Sequence, residues 1–374
     1  MTVSRLAYTG YRNLKDGAFE PCGQVNVLFG KNAQGKTNLL EALWLFTGAR
    51  SFRGAKDSEL VTFGSPNGSL LMDYSAAGRE QTIKLTLNGS RSAEQNGIPL
   101  DSPIRLTGNF CAVIFSPEHL GLVKDSAQQR RRFIDSAICQ IRPPHASLVL
   151  EYRKTLNQRN ALLKDIPGFA DLLDTLDVWD ERLCNIGAQL TFMRLRYLHR
   201  LSEKASGVYE GISKGSEQFR LSYTDFEDKT YDCDVSDAKT ALKTIYNSLK
   251  KSMIRLRSND IDSGYTHAGP HRDDIRIDIA GISARTYGSQ GQQRSAVLSL
   301  KLAEAMVLHD TIGEPPVLLL DDVMSELDST RQDYLLNHIG GMQVFITCCD
   351  PSWQSADENS AVFEVHEGMI DRRK

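Results

Sequence analysis

The sequence predicts an α/β fold interrupted by a long, mostly helical insertion. Three observations carry this. Short apolar strands alternate with helical patterns at both ends of the chain. The texture between Asp125 and Arg257 is dominated by helical spacing. A glycine-rich turn joins a strand to a helix near the N-terminus.

The elements follow in order. Gln24–Phe29 is a short apolar run with two valines, expected as a strand, and Thr37–Thr47 carries Leu39, Leu40, Leu43 and Trp44 at helical spacing. Leu70–Tyr74 and Thr82–Leu87, joined by SAAGREQ, read as a hairpin, and Phe110–Phe115 as a buried strand. From Leu172 on, apolar residues fall at 172, 176, 179, 183, 186, 190, 193 and 197. This alternation of four and three steps makes a coiled-coil-like seam, which packs one helix against another. A strand at Phe219–Tyr223 and a helix near Asp237–Arg257 close the insertion. Strand signals resume at Asp273–Ile279, followed by a helix at Ser295–Leu308, a solidly apolar strand at Val317–Leu320, a helix from Ser329 and a strand at Gln343–Thr347. Fully apolar strands between helices imply a parallel sheet covered on both faces. The expected organisation is a first lobe over 1–122, a helical arm over 123–262 and a second lobe over 263–374.

Composition narrows the class. At 374 residues the chain exceeds one ordinary core, and 41% hydrophobic with 24% charged residues is typical of a globular protein. No apolar run reaches the length of a membrane span, and the N-terminus lacks an apolar export segment, so the expected location is cytoplasmic with no membrane partner. The seven cysteines form no CxxC pair and read as reduced thiols. The net charge of −3 rules out a general polycation, but basic clusters occur in the middle third. Arg130-Arg131-Arg132, Arg194 with Arg196, and Lys250-Lys251 are candidate contacts for nucleic-acid phosphates. Each cluster taken alone is more often a solvated helix face.

Two motifs carry chemistry. Gly30-Lys31-Asn32-Ala33-Gln34-Gly35-Lys36-Thr37 fits G-x-x-x-x-G-K-[ST] at every fixed position, after a strand and before a helix. Its glycines turn backbone N–H groups toward phosphate oxygens, Lys36 reaches the β- and γ-phosphates, and Thr37 binds Mg²⁺. Val317-Leu-Leu-Leu-Asp-Asp-Val323 ends a buried strand in paired acids, where α/β sheets bind ligands. Asp321 is expected on the Mg²⁺ side and Asp322 as the carboxylate that orients or deprotonates the attacking water. Together the motifs indicate ATP with Mg²⁺. Farther on, Tyr287-Gly-Ser-Gln-Gly-Gln-Gln-Arg-Ser295 looks like a second phosphate-binding turn before a helix. The tail Met324-Ser-Glu-Leu-Asp328 is, on local grounds, equally well read as an ordinary helix start capped by Asp328 or Ser329.

Taken together these pieces resemble the ABC-type P-loop ATPase head, two lobes with an inserted, mostly helical arm. The stretch from Gly30 to Ser289 is too long for a transporter nucleotide-binding subunit and too short for the long coiled coils of chromosome-maintenance ATPases. Tyr11-Arg-Asn-Leu14, GKNAQGKT, Ser51-Phe-Arg53, FSPEHL, QRRRFID, HAGPHRDD, YGSQGQQRS and LLLDDVMSELD occur in the order of the RecF family of bacterial recombination mediators. The resemblance covers essentially the whole chain. It implies a weak ATPase that forms an ATP-dependent homodimer. That dimer would bind double-stranded DNA and single-strand/double-strand junctions, and would work with RecR-type and RecO-type partners in loading a recombinase. It further implies that Ser289, Gln290, Gly291 and Gln292 form a signature acting in trans, that Asp328 lies in an interface loop, and that Arg12 and Asn13 sit near the nucleotide base or sugar. Thr347 stands where many ABC ATPases have a switch histidine, and spacing assigns no role to Glu118, His267 or His271. A transporter ATPase subunit and a small-molecule P-loop kinase are the alternatives. The long helical insert and the absence of an LSGGQ-like spelling count against the first, and the second requires no ATP-dependent dimer.

Overall fold

The computed structural model describes residues 1–231, 233–349 and 360–373. Its strands are β1 (Thr2–Thr9), β2 (Gly17–Phe19), β3 (Val25–Phe29), β4 (Gly68–Ala76), β5 (Arg79–Asn88), β6 (Ser90–Gln95), β7 (Ile98–Leu100), β8 (Ala112–Phe115), β9 (Phe219–Thr224), β10 (Asp274–Ile279), β11 (Ile282–Ser283), β12 (Val317–Asp321), β13 (Val344–Cys348), β14 (Ala361–His366) and β15 (Met369–Arg372). Its α-helices are α1 (Lys36–Leu45), α2 (Ala127–Ile141), α3 (Pro144–Asp165), α4 (Leu173–Ser213), α5 (Ala238–Ser263), α6 (Ala284–Tyr287), α7 (Gln290–Ile312) and α8 (Ser329–His338).

The chain forms two compact units. The first holds Met1–Gly121, Gly211–Lys214 and the chain from Arg294 on. It contains a six-stranded sheet in the order β15-β14-β3-β13-β12-β8, in which all neighbours are parallel except the β14–β15 edge pair. β12 and β13 are buried at every position, as expected for a sheet covered on both faces. A second, antiparallel sheet runs β2-β1-β4-β5-β6-β7. Side chains from both sheets and from α1 share one core, including Leu39, Leu43, Leu70, Leu85, Leu319 and Phe345. Each fully buried Leu in it contributes about 1.5–3 kcal/mol.

The second unit comprises Leu122–Glu210 and Gly215–Gln293. Its core joins Tyr152 of α3, Leu183, Ile186 and Leu190 of α4, and Ala241, Ile245, Leu249 and Met253 of α5. The seam of α4 therefore packs against two helices. A small antiparallel sheet, β11-β10-β9, completes the unit. Among the described residues no helix is long and apolar enough to cross a membrane, and no disulfide joins any two of the seven cysteines.

Candidate functional site

In the first unit the phosphate loop links β3 to α1. Gly30 has φ +153°, and a Cβ there would lie 2.2 Å from the Val365 carbonyl oxygen, so the loop can only start on glycine. Lys36 is buried. Its Nζ donates to the carbonyl oxygens of Gly30 and Lys31, the latter at 2.9 Å, which holds the ammonium across the loop.

The paired acids meet this loop directly. Thr37 Oγ1 donates to Asp321 Oδ1 at 2.8 Å, and Thr347 Oγ1 donates to the same oxygen at 2.9 Å. Burial pushes the Asp321 carboxyl up, opposed by those two hydroxyl bonds. Asp322 follows with φ +51°, a left-handed conformation that Asp tolerates better than most residues. Its N–H donates to Thr347 Oγ1 at 2.9 Å, and Ser325 Oγ donates to its carbonyl at 2.8 Å. The hydroxyl of Thr37 and the carboxylate of Asp321 form a hard-oxygen pair of the kind Mg²⁺ takes alongside phosphate oxygens and water. Such a site needs no all-protein cage. Among the described residues no three His, Cys, Asp or Glu side chains gather into one.

Arg12 and Asn13 part company. Arg12 makes a two-point bond to the fully buried Glu41 of α1, at 2.8 and 2.9 Å, and donates to the Glu59 carbonyl. Tyr11 and Ser51 hydroxyls also donate to Glu41, so Arg12 anchors the first lobe. Asn13 Nδ2 instead donates to the Ala33 carbonyl at 2.9 Å, on the phosphate loop. The loop tip is braced by the β14–β15 turn, where Glu367 N–H donates to Gln34 Oε1 and Gly368 N–H to the Gln34 carbonyl. Cys349 Sγ reaches Asn32 Oδ1 at 3.0 Å.

Ser289–Gln292 belong to the second unit. Ser289 Oγ accepts the Gln292 N–H at 3.2 Å while Gln292 Oε1 accepts the Ser289 N–H at 2.8 Å, a reciprocal capping box. It starts α7 at Gln290, five residues ahead of the expected Ser295. Gln292 Nε2 donates to Glu217 Oε1 at 2.6 Å, and Tyr209 donates to the other Glu217 oxygen at 2.7 Å. Asp328, in the first unit, is the N-cap of α8, accepting from the Arg331 N–H at 3.0 Å.

The structure corrects two of the candidate DNA contacts. Arg130 is buried, with two bonds of 2.7 Å to Asp274 and more to the Leu122, Val123 and Asp125 carbonyls. Arg194 is buried on Asp135, at 2.9 and 2.8 Å, and also donates to Tyr223 Oη and the Pro270 carbonyl. Both guanidiniums are consumed internally. Arg131 is half-buried, whereas Arg132, Arg196, Lys250 and Lys251 are exposed, Lys250 paired with Glu181 at 3.1 Å.

No family model matches the chain. The protein of Ruminiclostridium cellulolyticum named DNA replication and repair protein RecF is 41% identical over 376 residues, 99% of each chain. The chain belongs to the RecF family. The identically named protein of Acetivibrio thermocellus is 38% identical over 352 residues, 94% of each chain. A solved structure of the recombination mediator protein RecF-ATP in the RecFOR pathway superposes with TM-score 0.89 at 36% identity, covering 100% of this chain and 98% of that one. An Smc head bound to the C-terminal winged-helix domain of ScpA shares the fold at TM-score 0.56 and 14% identity, over 100% of this chain and 97% of its own. The fold of this RecF-family chain is thus an ABC-type ATPase head with an inserted helical arm.

Glu217 escaped the sequence, and the contacts of Thr347 and Arg53 did too, although both residues lie in the RecF motifs. Thr347 Oγ1 ties the end of β12, donating to Asp321 and accepting from the Asp322 N–H. Glu217 holds Gln292 from a loop with no motif of its own. Arg53 donates to Asn38 Oδ1 at 2.9 Å, Asn38 donates to Asn13 Oδ1 at 2.7 Å, and its charge also acts on Asp321. The family-like Ser51-Phe-Arg53 was the available signal for the last.

Proposed function

We propose that this chain is an ATP-switched, DNA-binding ATPase of recombinational repair and replication restart. The observation that carries the reading is the bond between Thr37 Oγ1 and Asp321 Oδ1 beneath a loop spanned by Lys36. It joins the two halves of a magnesium–triphosphate site. In this reading Gly30–Thr37 wrap the phosphates of ATP, Lys36 neutralises them, and Asn13 and Arg53 brace the loop. Thr37 and Asp321 hold Mg²⁺, which supplies charge neutralisation at the transferred phosphoryl group. Asp322, held by Thr347 and Ser325, orients the attacking water and takes its proton.

Ser289 and Gly291 complete the site of a second copy, so ATP closes a homodimer and hydrolysis opens it. Asp328 lies in the same interface. The closed form binds double-stranded DNA and gap junctions through exposed cations such as Arg132, Arg196 and Lys251, with RecR-type and RecO-type proteins as partners. The RecF naming of the relatives and the RecFOR pathway of the solved neighbour support this assignment. Sedimentation with and without ATP–Mg²⁺ and gapped DNA tests it. A shift from monomer to dimer that needs ATP is expected, and a chain that stays monomeric under every condition overturns the reading.

A further inference from the structure

The stretch His267-Ala-Gly-Pro-His271-Arg272, to which spacing gives no role, forms one wall of a cavity of about 520 Å³ within the second unit. Arg131, Arg272, His267, Gln128 and Asn259 line it, with Phe226 and Leu256 as apolar wall, and no carboxylate side chain is among the lining residues.

Among the described residues the two guanidiniums of this cavity are not bonded to a carboxylate. Arg131 donates to the Asp273 backbone carbonyl, and neither it nor Arg272 has a carboxylate partner among the described residues. Burial, reinforced by the neighbouring charge of Arg194 and only partly opposed by Tyr223, Asp274 and Asp273, pushes the Arg131 guanidinium pKa down, a stress that an anion would relieve further. Helix α2, fifteen residues long, opens on the same cavity. Its N-cap Ser126 makes no side-chain cap and its first turn holds no acid. Among the described residues the Ala127 and Gln128 N–H groups have no acceptor. These donors and the positive helix end suit an anion. His267 ties Nδ1 to the buried Asp260 at 2.8 Å, which leaves Nε2 free. His271 is wall rather than ligand. Tyr152 Oη donates to its Nδ1 at 2.8 Å, its Nε2 donates to the Thr266 carbonyl at 3.0 Å, and burial pushes its pKa down to about 4.

We propose that this cavity binds a phosphate monoester through Arg131, Arg272 and the open start of α2, with His267 on its wall and the attached nucleoside against Phe226 and Leu256. Two guanidiniums and a helix start offer more donors than one monoanionic oxygen can use, and match a dianion with three acceptor oxygens. The volume is that of an ordinary small-ligand site. The site goes beyond the proposed ATP switch, since it uses no residue of the phosphate loop. Its phosphate can come from a free nucleotide or from a 5′ end of DNA.

The test uses the full chain saturated with ATPγS and Mg²⁺, so that the phosphate loop is filled. A 3′-fluorescein oligonucleotide with a 5′-phosphate is compared with its 5′-hydroxyl form by anisotropy. A second arm asks whether deoxyadenosine monophosphate protects Arg272 from phenylglyoxal. The 5′-phosphate is expected to tighten binding roughly tenfold. Arg272→Gln, an exposed position that leaves the core intact, should erase that preference without changing the affinity for the hydroxyl form. Protection by the mononucleotide with no oligonucleotide preference assigns the site to free nucleotides. Equal oligonucleotide binding together with no protection overturns the proposal.

Discussion

Arg194 and Arg196 lie two positions apart on α4 and face opposite demands. Arg194 is the buried partner of Asp135. Burial by itself would raise that carboxyl, but the Arg194 charge and the bond to His145 hold it down at about 2. Removing Arg194 strands a buried carboxylate, so Arg194→Ala should lower unfolding free energy by about 3–5 kcal/mol, read from urea denaturation. Exposed Arg196 is different. Arg196→Ala should leave stability unchanged and reduce the slope of log affinity against log salt for DNA by about one. Asp273 adds a pH signature. It is buried, its Oδ1 has no partner among the described residues, and burial pushes its pKa up to about 7. An unfolded Asp ionises near pH 4, so between about pH 4 and 7 the unfolded chain releases a proton that the folded chain keeps. Stability from this group is therefore full below about pH 4 and is lost as pH rises through 7. Asp273→Asn removes the loss, and its advantage in urea midpoint over the parent should widen from pH 5 to pH 8. A constant gap would assign the titration elsewhere.

At the scale of elements, the Ser289–Gln292 turn shows what a motif needs beyond its own letters. Gln292 uses its carbonyl oxygen to cap Ser289 and its amide to hold Glu217. Glu217→Ala frees that amide. It should weaken ATP-dependent dimerisation roughly tenfold, the worth of one charge-assisted bond, while leaving the affinity of the monomer for ATP unchanged. Glu217→Gln, which keeps an acceptor, should restore it. The same turn marks a limit of sequence reading. The helix was expected from Ser295 because the apolar repeat starts there, whereas the capping box carries it back to Gln290. β12, β13 and α1 were legible because solid apolar runs and a fixed loop motif specify them locally. β1 was not, because the register shift between Val3 and Arg5 breaks its alternation. Thr37, Lys36 and Asp321 could be found from spacing, since one motif or its pair fixes them. Thr347, Glu217 and Arg53 act through contacts between distant segments, and no local pattern encodes those. The β14–β15 turn is of the same kind. A Cβ on Gly368 would lie 2.1 Å from the Asn13 carbonyl oxygen, a constraint set by a segment far away in the chain.

For the whole molecule, the decisive question is whether one copy supplies what another lacks. The phosphate loop lies in one compact unit and the Ser289–Gln292 turn in the other. A trans arrangement has a consequence that no cis arrangement shares. Lys36→Met loses nucleotide binding, and Ser289→Arg keeps it but blocks closure, so each variant alone should have no DNA-stimulated ATPase activity. In a two-fold dimer of one copy of each, the first composite site joins the broken loop to the broken signature. The second joins the intact loop of the Ser289 variant to the intact signature of the Lys36 variant. Equal mixing yields such heterodimers in half of the pairs, each with one working site, so the mixture should recover about a quarter of the parent activity when sites act independently. Phosphate release measured across mixing ratios should peak at one to one. Activity that stays at the background of the separate variants at every ratio would rule out a working single trans site. Full activity of Ser289→Arg alone would show that Ser289 takes no part in the composite site.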